Sequence, residues 1–178
     1  GLAAAMVLIF GSQSALAATY SDVASSHWAY ESIDSLSDQG IMVGDSSGKF
    51  NPDQAVDKFY TAKVLAIVAG FKYVNLTEEE NVYIANAYEK NKGLLEQFKK
   101  SFEKWDATAD KEIAYLLEKG ILVATDLNQF VVRISGGEER LRALSKEEYC
   151  VFIVRLLGKT NEALASDYGT LFKDDSTI

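Results

Sequence analysis

The chain has 178 residues, 48% hydrophobic and 25% charged, which suits one or two globular domains with a buried core. Its formal net charge is -8. Because binding to a phosphate backbone needs a basic face, we expect no nucleic-acid partner. With one histidine, His27, and one cysteine, Cys150, an intramolecular disulfide and the common four-ligand zinc sites are excluded. We expect no cofactor and no bound metal.

Residues 1–17 are typical of an export signal whose first residues are missing. An apolar run from Leu2 to Phe10 is followed by polar residues and then by the Ala-Leu-Ala cleavage pattern at 15–17. The run is shorter than the roughly 20 apolar residues of a membrane-spanning helix. We therefore predict a secreted protein whose mature chain begins near Ala18 and has no membrane span after signal cleavage. A buried N-terminal helix is the alternative interpretation.

The first predicted elements are a helix, a loop and a second helix. Ser25 or Ser26 is expected to cap a first helix that runs to about Gln39, and Gly40 is expected to stop it. The second helix is expected to begin at Asp57. Its sequence, FYTAKVLAIVAGF, is apolar on nearly every face, which predicts burial all round.

The next segment, residues 73–105, predicts inserted helical structure. Thr77 and Glu80 form a capping box, and Gly93 is expected to break the segment into two helices. One face carries apolar residues at helical spacing, and we expect that face to pack on the protein's own core rather than on a partner. The residues of this stripe are Ile84, Tyr88, Leu95, Phe98, Phe102 and Trp105.

The helix-loop-helix unit then occurs again. Matching residues stand 80 positions apart, as in the pairs Ile33 and Ile113, Gly40 and Gly120, and Phe50 and Phe130. The second helices align at a spacing of 88, since eight extra residues fall around the loop-like VVRISGGEER. The later helix starts at a capping box, Ser145 and Glu148, and is expected to bury Cys150 as a small core residue. Two such apolar helices imply a third neighbour, and LFKDDSTI at 171–178 resembles TYSDVASS at 19–26.

The stretch YSDVASSHWAYESIDSLSDQGIMVGDSSGKFNPDQAVDKFYTAKVLAIVAG resembles an S-layer homology repeat. The resemblance rests on Tyr20 and Asp22, Trp28-Ala29, Gly40-Ile41, Gly44 and Phe50-Asn51-Pro52. It implies an all-α fold in which helix-loop-helix repeats form an incomplete pseudo-trimeric bundle with the second helices at its centre. We therefore predict five segments: a truncated signal peptide (1–17), a first repeat (18–72), an inserted helical segment (73–105), a divergent second repeat (106–160) and the start of a third (171–178).

The resemblance also implies a function. Such modules attach exported proteins noncovalently to the secondary cell-wall polymer on peptidoglycan, an acidic and often pyruvylated polysaccharide. We therefore expect a secreted, non-enzymatic module at the cell wall or S-layer that tethers an S-layer or other exported protein. The alternative is the N-terminal part of a secreted cell-wall-active enzyme whose catalytic domain lies outside this sequence.

Five residues are predicted to bind the polysaccharide. Trp28 would pack on a sugar ring, Asp22 would accept hydroxyl hydrogen bonds or order the loop, and Gly44 would permit close backbone approach. Lys58 and Lys146, each at the start of a second helix, would supply the cation for the carboxylate. The simpler alternatives are a core anchor for Trp28, a turn cap for Asp22 and a solvated side chain for Lys58.

Departures from the family pattern separate the two copies. Thr-Arg-Ala-Glu of the family is Asp57-Lys58-Phe59-Tyr60 in the first copy, which lacks the acid, and Ser145-Lys146-Glu147-Glu148 in the second, which keeps it. Thr108 and Ala124 stand where Trp28 and Gly44 stand in the first copy. The first copy is therefore the better candidate for a binding site. Calcium binding at DSSGKFNPD is a further alternative, although Lys49 stands where an oxygen ligand is needed.

Overall fold

The computed structural model describes residues 20–165, so the predicted signal peptide and the predicted start of a third repeat lie outside the described residues. The chain divides into two compact units, Gly1–Gln54 and Ala55–Ile178. The first unit contains α1 (Tyr30–Asp38). The second contains α2 (Lys58–Val68), α3 (Glu78–Ser101), α4 (Asp110–Glu118), β1 (Val131–Arg133), β2 (Glu139–Leu141), α5 (Lys146–Leu156) and α6 (Thr160–Ala165). The predicted all-α class is confirmed, with one small two-stranded sheet.

Helix α1 begins later than predicted. Neither Ser25 nor Ser26 caps it, and its N-cap is Ala29, whose side chain makes no capping hydrogen bond. The chain instead approaches the helix through backbone turns, and the His27 imidazole Nδ1 accepts the Ala29 N–H at 3.2 Å. The residues between Ala24 and Tyr30 are therefore turns rather than helix.

The predicted glycine stop of α1 is confirmed. Gly40 has φ +66°, and its N–H donates to the Ser37 carbonyl at 2.9 Å. The Ile41 N–H reaches back to the Leu36 carbonyl at 2.9 Å, which completes a Schellman motif. Gly120, with φ +70°, repeats both hydrogen bonds after α4. A residue with a Cβ is strained at this φ, so glycine is the favoured residue at both helix ends.

The helix pair recurs with the same dimensions. Helices α1 and α4 are both 9 residues long, and α2 and α5 are both 11 residues long. The eight extra residues, predicted as a loop, form the β1–β2 hairpin, in which Val131 pairs with Leu141. Gly136 and Gly137 both have positive φ in its connection. A Gly-Gly pair between two strand-forming runs is a hairpin signal, and the loop prediction overlooked it.

The segment that follows the hairpin, residues 142–144, pairs with residues 56–58 at the start of α2. The Lys58 N–H donates to the Arg142 carbonyl, and the Leu144 N–H donates to the Val56 carbonyl, both at 3.2 Å. Asp57 and Ala143 form an antiparallel bridge between these two hydrogen bonds. The segments that precede α2 and α5 are thus held side by side by their backbones.

The two second helices differ in burial. Helix α2 is buried on most sides but not all round as predicted, because Val68 is exposed and four other residues are only partly buried. In α5 only Phe152 is buried, while Tyr149, Cys150 and Val151 are exposed. The prediction that Cys150 is a core residue is therefore wrong, because no element among residues 20–165 covers that face of α5. The third neighbour inferred from its apolar surface stays a prediction.

The inserted segment is one helix of 24 residues, and the predicted break at Gly93 is wrong. A glycine inside a helix costs only about 1 kcal/mol relative to alanine, so the packing of α3 on α4 holds the helix continuous. The capping box of Thr77 and Glu80 is confirmed. The apolar stripe of the inserted segment packs on the core as predicted, where Leu95 and Trp105 are buried.

The core of the second unit is aromatic at its centre. The Phe59 ring contacts the Trp105 and Phe130 rings edge-on, each at a centroid distance of 5.0 Å. The indole Nε1 of Trp105 donates to Asp110 at 2.9 Å, so the polar end of this buried side chain is satisfied. Within residues 20–165, no helix combines the length and apolar character needed to cross a membrane.

Candidate functional site

Trp28 presents its ring to solvent. The side chain is 93% exposed, and its only aromatic neighbour among residues 20–165 is the stacked ring of His27 at 5.9 Å. The alternative of a core anchor does not fit this exposure. The ring is therefore accessible to a ligand or partner.

Asp22 orders the loop that follows α1. Its Oδ1 accepts the Phe50 N–H at 2.8 Å, and its Oδ2 accepts the Asn51 N–H at 2.7 Å. Asn51 has a positive φ of 57°, so this carboxylate stabilises an uncommon backbone conformation. The hydrogen bond from the Phe50 N–H lowers the pKa of Asp22, with a further contribution from Asn51.

The loop held by Asp22 is expected to loosen in acid. Since the folded-state pKa of Asp22 is lowered, its stabilising effect is present at neutral pH and is lost as the pH falls below about 4. At pH 7, Asp22→Asn should speed hydrogen exchange at the Phe50 and Asn51 amides, measured by NMR. The control is Asp53→Asn, whose carboxylate accepts no hydrogen bond within the described residues. Unchanged exchange in Asp22→Asn would contradict this role.

Gly44 lies close to the Lys49 backbone and the Tyr20 ring, with no open space beside it for a ligand. Its N–H donates to the Tyr20 hydroxyl at 2.9 Å, and that hydroxyl donates to Ser37 Oγ at 3.0 Å. A Cβ at Gly44 would lie 2.4 Å from the Lys49 carbonyl oxygen and 2.4 Å from Tyr20 Cε1. The close approach expected at Gly44 thus serves the packing of the loop.

Asp45 closes the same loop through hydrogen bonds of its own. One carboxylate oxygen accepts from the Ser47 hydroxyl and from the Ser47 and Lys49 backbone N–H groups, and the other accepts from the Asn51 side chain. These contacts, led by the Ser47 hydroxyl, lower the pKa of Asp45 to about 2. The carboxylate therefore acts as a turn-forming group.

Lys58 is buried and paired. It is 2% exposed, and its ammonium group donates to the Glu148 carboxylate, which also accepts the Ser145 N–H in the capping box of α5. Burial lowers the pKa of Lys58, and the hydrogen bond to Glu148 acts in the opposite direction. Burial raises the pKa of Glu148, but the hydrogen bonds from Lys58 and Ser145 outweigh it and hold that pKa below its usual value. The first repeat lacks the acidic residue of the family pattern, and Glu148 of the second repeat pairs with Lys58 instead.

A cleft of about 210 Å³ lies beside the ion pair of Lys58 and Glu148. Two of its charged residues, Asp126 and Arg155, were not predicted from the sequence. Arg155 donates to Asp126 at 2.6 Å, so both cations of the cleft, Lys58 and Arg155, are paired. Glu147 adds a third carboxylate to the lining. The signal for Arg155 was available, because an arginine in a largely apolar helix needs a partner. With two cations and three carboxylates, the cleft does not favour an anion.

Lys146 is the more accessible of the two predicted lysines. It is the first residue of α5 and is exposed, and it makes no ion pair with residues 20–165. Asp22, Trp28 and Gly44 belong to the first compact unit, whereas Lys58 and Lys146 belong to the second. The polysaccharide-binding role of all five residues stays a prediction.

Comparison with known proteins agrees with the resemblance seen in the sequence. The family model described as S-layer homology domain matches residues 19–59. An S-layer protein from Bacillus licheniformis is 33% identical over 63 residues, a stretch that covers 35% of this chain and 7% of that relative. No solved structure matches the chain. Four of the five predicted residues lie in this segment: Asp22, Trp28, Gly44 and Lys58. Because residues 19–59 match the family model, the chain is a protein that contains an S-layer homology domain.

Proposed function

We propose that this chain is a noncovalent anchor that binds secondary cell-wall polysaccharide and tethers an exported protein to the cell envelope. The observation that carries the proposal is the 93% exposure of Trp28 inside the segment that matches the S-layer homology domain. S-layer homology domains are binding and anchoring modules rather than catalytic ones. The S-layer relative supports a location at the cell surface.

The chemistry of a pyruvylated polysaccharide suits the accessible groups. Such a polymer offers flat apolar ring faces, hydroxyl groups and carboxylates, so it needs an aromatic surface and a cation. Trp28 supplies the aromatic surface, and Lys146, at the N-terminal end of α5, supplies a cation beside helix amides. Asp22 and Gly44 hold the loop of the first unit, and Lys58 holds the start of α2.

Trp28→Ala should weaken binding to purified cell walls roughly 5- to 150-fold, because about 1–3 kcal/mol of aromatic stacking would be lost. The measurement is cosedimentation of the purified chain with walls at increasing protein concentration. Thermal stability should stay unchanged, since the ring makes no core contact. Lys58 is not a suitable second target, because its removal would leave Glu148 without its cation.

Two controls make this experiment specific. Tyr149→Ala removes an aromatic ring that is 53% exposed and lies outside the segment matched by the family model, and it should leave wall binding unchanged. Walls stripped of secondary polymer should not retain the wild-type chain. Retention on stripped walls, or equal losses in Trp28→Ala and Tyr149→Ala, would overturn the proposed function.

A further inference from the structure

A separate cavity of about 330 Å³ lies where the inserted helix α3 meets the ends of α2 and α4. Its wall includes the residues that close α2, the first turns of α3 and the last turn of α4. The inserted segment therefore contributes to a concave site in the second unit, apart from the Lys58 cleft. The residues that line it include Gly70, Leu76, Glu79, Tyr83, Tyr115 and Lys119.

Two tyrosines give the cavity a rigid aromatic wall. Tyr115 is 5% exposed, and its hydroxyl donates to the Ala69 carbonyl at 3.1 Å, which fixes the ring. The Tyr83 ring meets Tyr115 edge-on at 5.6 Å and remains 37% exposed. A fixed ring that supports an accessible one is a suitable surface for the apolar face of a ligand.

The cavity contains one cation without a carboxylate partner among residues 20–165. The Lys119 ammonium lies 5.3 Å from the centre of the Tyr83 ring and 5.2 Å from that of Tyr115. Lys72, the other cation of the lining, is paired with Glu80 at 2.5 Å. Because the two rings hold Lys119 at the wall, its charge is placed for an anionic group on a ligand.

An acceptor and an apolar floor complete the site. The Glu79 carboxylate accepts no hydrogen bond from the described part of the chain, so it is available to hydroxyl donors. Leu76 and Ile84 contribute apolar surface. The combination calls for a ligand with an apolar face, hydroxyl groups and one negative charge.

We propose that this cavity binds an acidic sugar residue, with its carboxylate on Lys119, its ring against Tyr83 and its hydroxyls on Glu79. The proposal rests on the proposed function, because an acidic wall polysaccharide would present such residues. It adds a second contact to the anchor, built by the inserted helix. The same chain would then hold the polymer at the cavity as well as at Trp28.

The test is an NMR titration of the full chain with the disaccharide of galacturonic acid. The expected result is saturable shifts at the amides around Tyr83, Tyr115 and Lys119, and at least tenfold weaker binding of the equally linked neutral galactose disaccharide. Lys119→Met and Tyr83→Ala should each weaken binding at least tenfold, and Lys119→Arg should largely restore it. The matched control is Lys111→Met, since Lys111 is an exposed lysine in the first turn of α4, the helix that Lys119 follows.

Three results would overturn the inference: no shifts around the cavity, equal binding of the neutral disaccharide, or equal effects of Lys119→Met and Lys111→Met. Wall cosedimentation separates this outcome from failure of the proposed function. If walls retain the chain but the acidic disaccharide does not bind, the cavity assignment fails alone. If the disaccharide binds at the cavity but walls do not retain the chain, the cavity assignment is supported and the proposed anchoring fails.

Discussion

Replacing Lys58 by methionine should lower the free energy of unfolding by about 3 kcal/mol, the lower end of what removal of one partner of a buried ion pair costs. The ammonium is buried and pairs with Glu148, which is itself only partly exposed. Methionine fills a similar volume, so the expected loss comes from the uncompensated carboxylate rather than from a cavity. Urea unfolding followed by circular dichroism measures the effect.

A double variant separates charge from packing. Glu148→Gln keeps the side-chain oxygen that accepts the Ser145 N–H and removes the charge, so Lys58→Met with Glu148→Gln should recover most of the lost stability. Lys111→Met, on an exposed site, should change the free energy of unfolding by less than about 0.5 kcal/mol. If the double variant is no more stable than Lys58→Met, the ion pair is not what stabilises this region.

Gly44→Ala should destabilise the first unit by about 3 kcal/mol, at the upper end of the cost of overpacking. The new methyl group would clash with the Lys49 carbonyl oxygen, which is backbone, and with the Tyr20 ring, which the Ser37 hydrogen bond fixes. Hydrogen exchange should show lost protection across residues 20–54. Amides of the second unit report whether the effect is confined to the first.

Gly93→Ala is the matched control for this substitution. A Cβ at Gly93 would meet no heavy atom within 4 Å, and alanine is the better helix former. The variant should therefore gain about 0.5–1 kcal/mol. If residues 20–54 of the Gly44→Ala variant keep their protection against hydrogen exchange, the loop relaxes around the new methyl group. The close packing at Gly44 is then not required for the stability of the first unit.

Features set by neighbours in the sequence could be predicted from it. The capping boxes at Thr77 and Ser145 and the stops at Gly40 and Gly120 depend on a few adjacent residues, and the structure confirms each of them. The recurrence of the helix pair could likewise be predicted, from matching residues that stand 80 positions apart. The start of α1 was missed because neither serine caps the helix and the chain approaches it through turns, one of them held by the His27 imidazole.

Features set by tertiary contacts could not be predicted in this way. The partner of Lys58 is 90 positions away, and nothing in the first copy indicates that Glu148 of the second supplies the acid. Cys150 lies in a helix whose composition indicates burial, yet composition does not say whether another element covers it. For the candidate site, the residue types suggested Trp28, but its exposure depends on the path of the turns before α1.

The backbone pairing of Val56 with Leu144 joins positions that enclose α2, α3, α4 and the hairpin. Closing this stretch of chain has an entropic cost of its own, and contacts between residues so far apart in sequence slow folding more than local contacts do. The pairing cannot form until the chain as far as Leu144 is present, so a fragment that ends before the hairpin would leave the start of α2 without these hydrogen bonds.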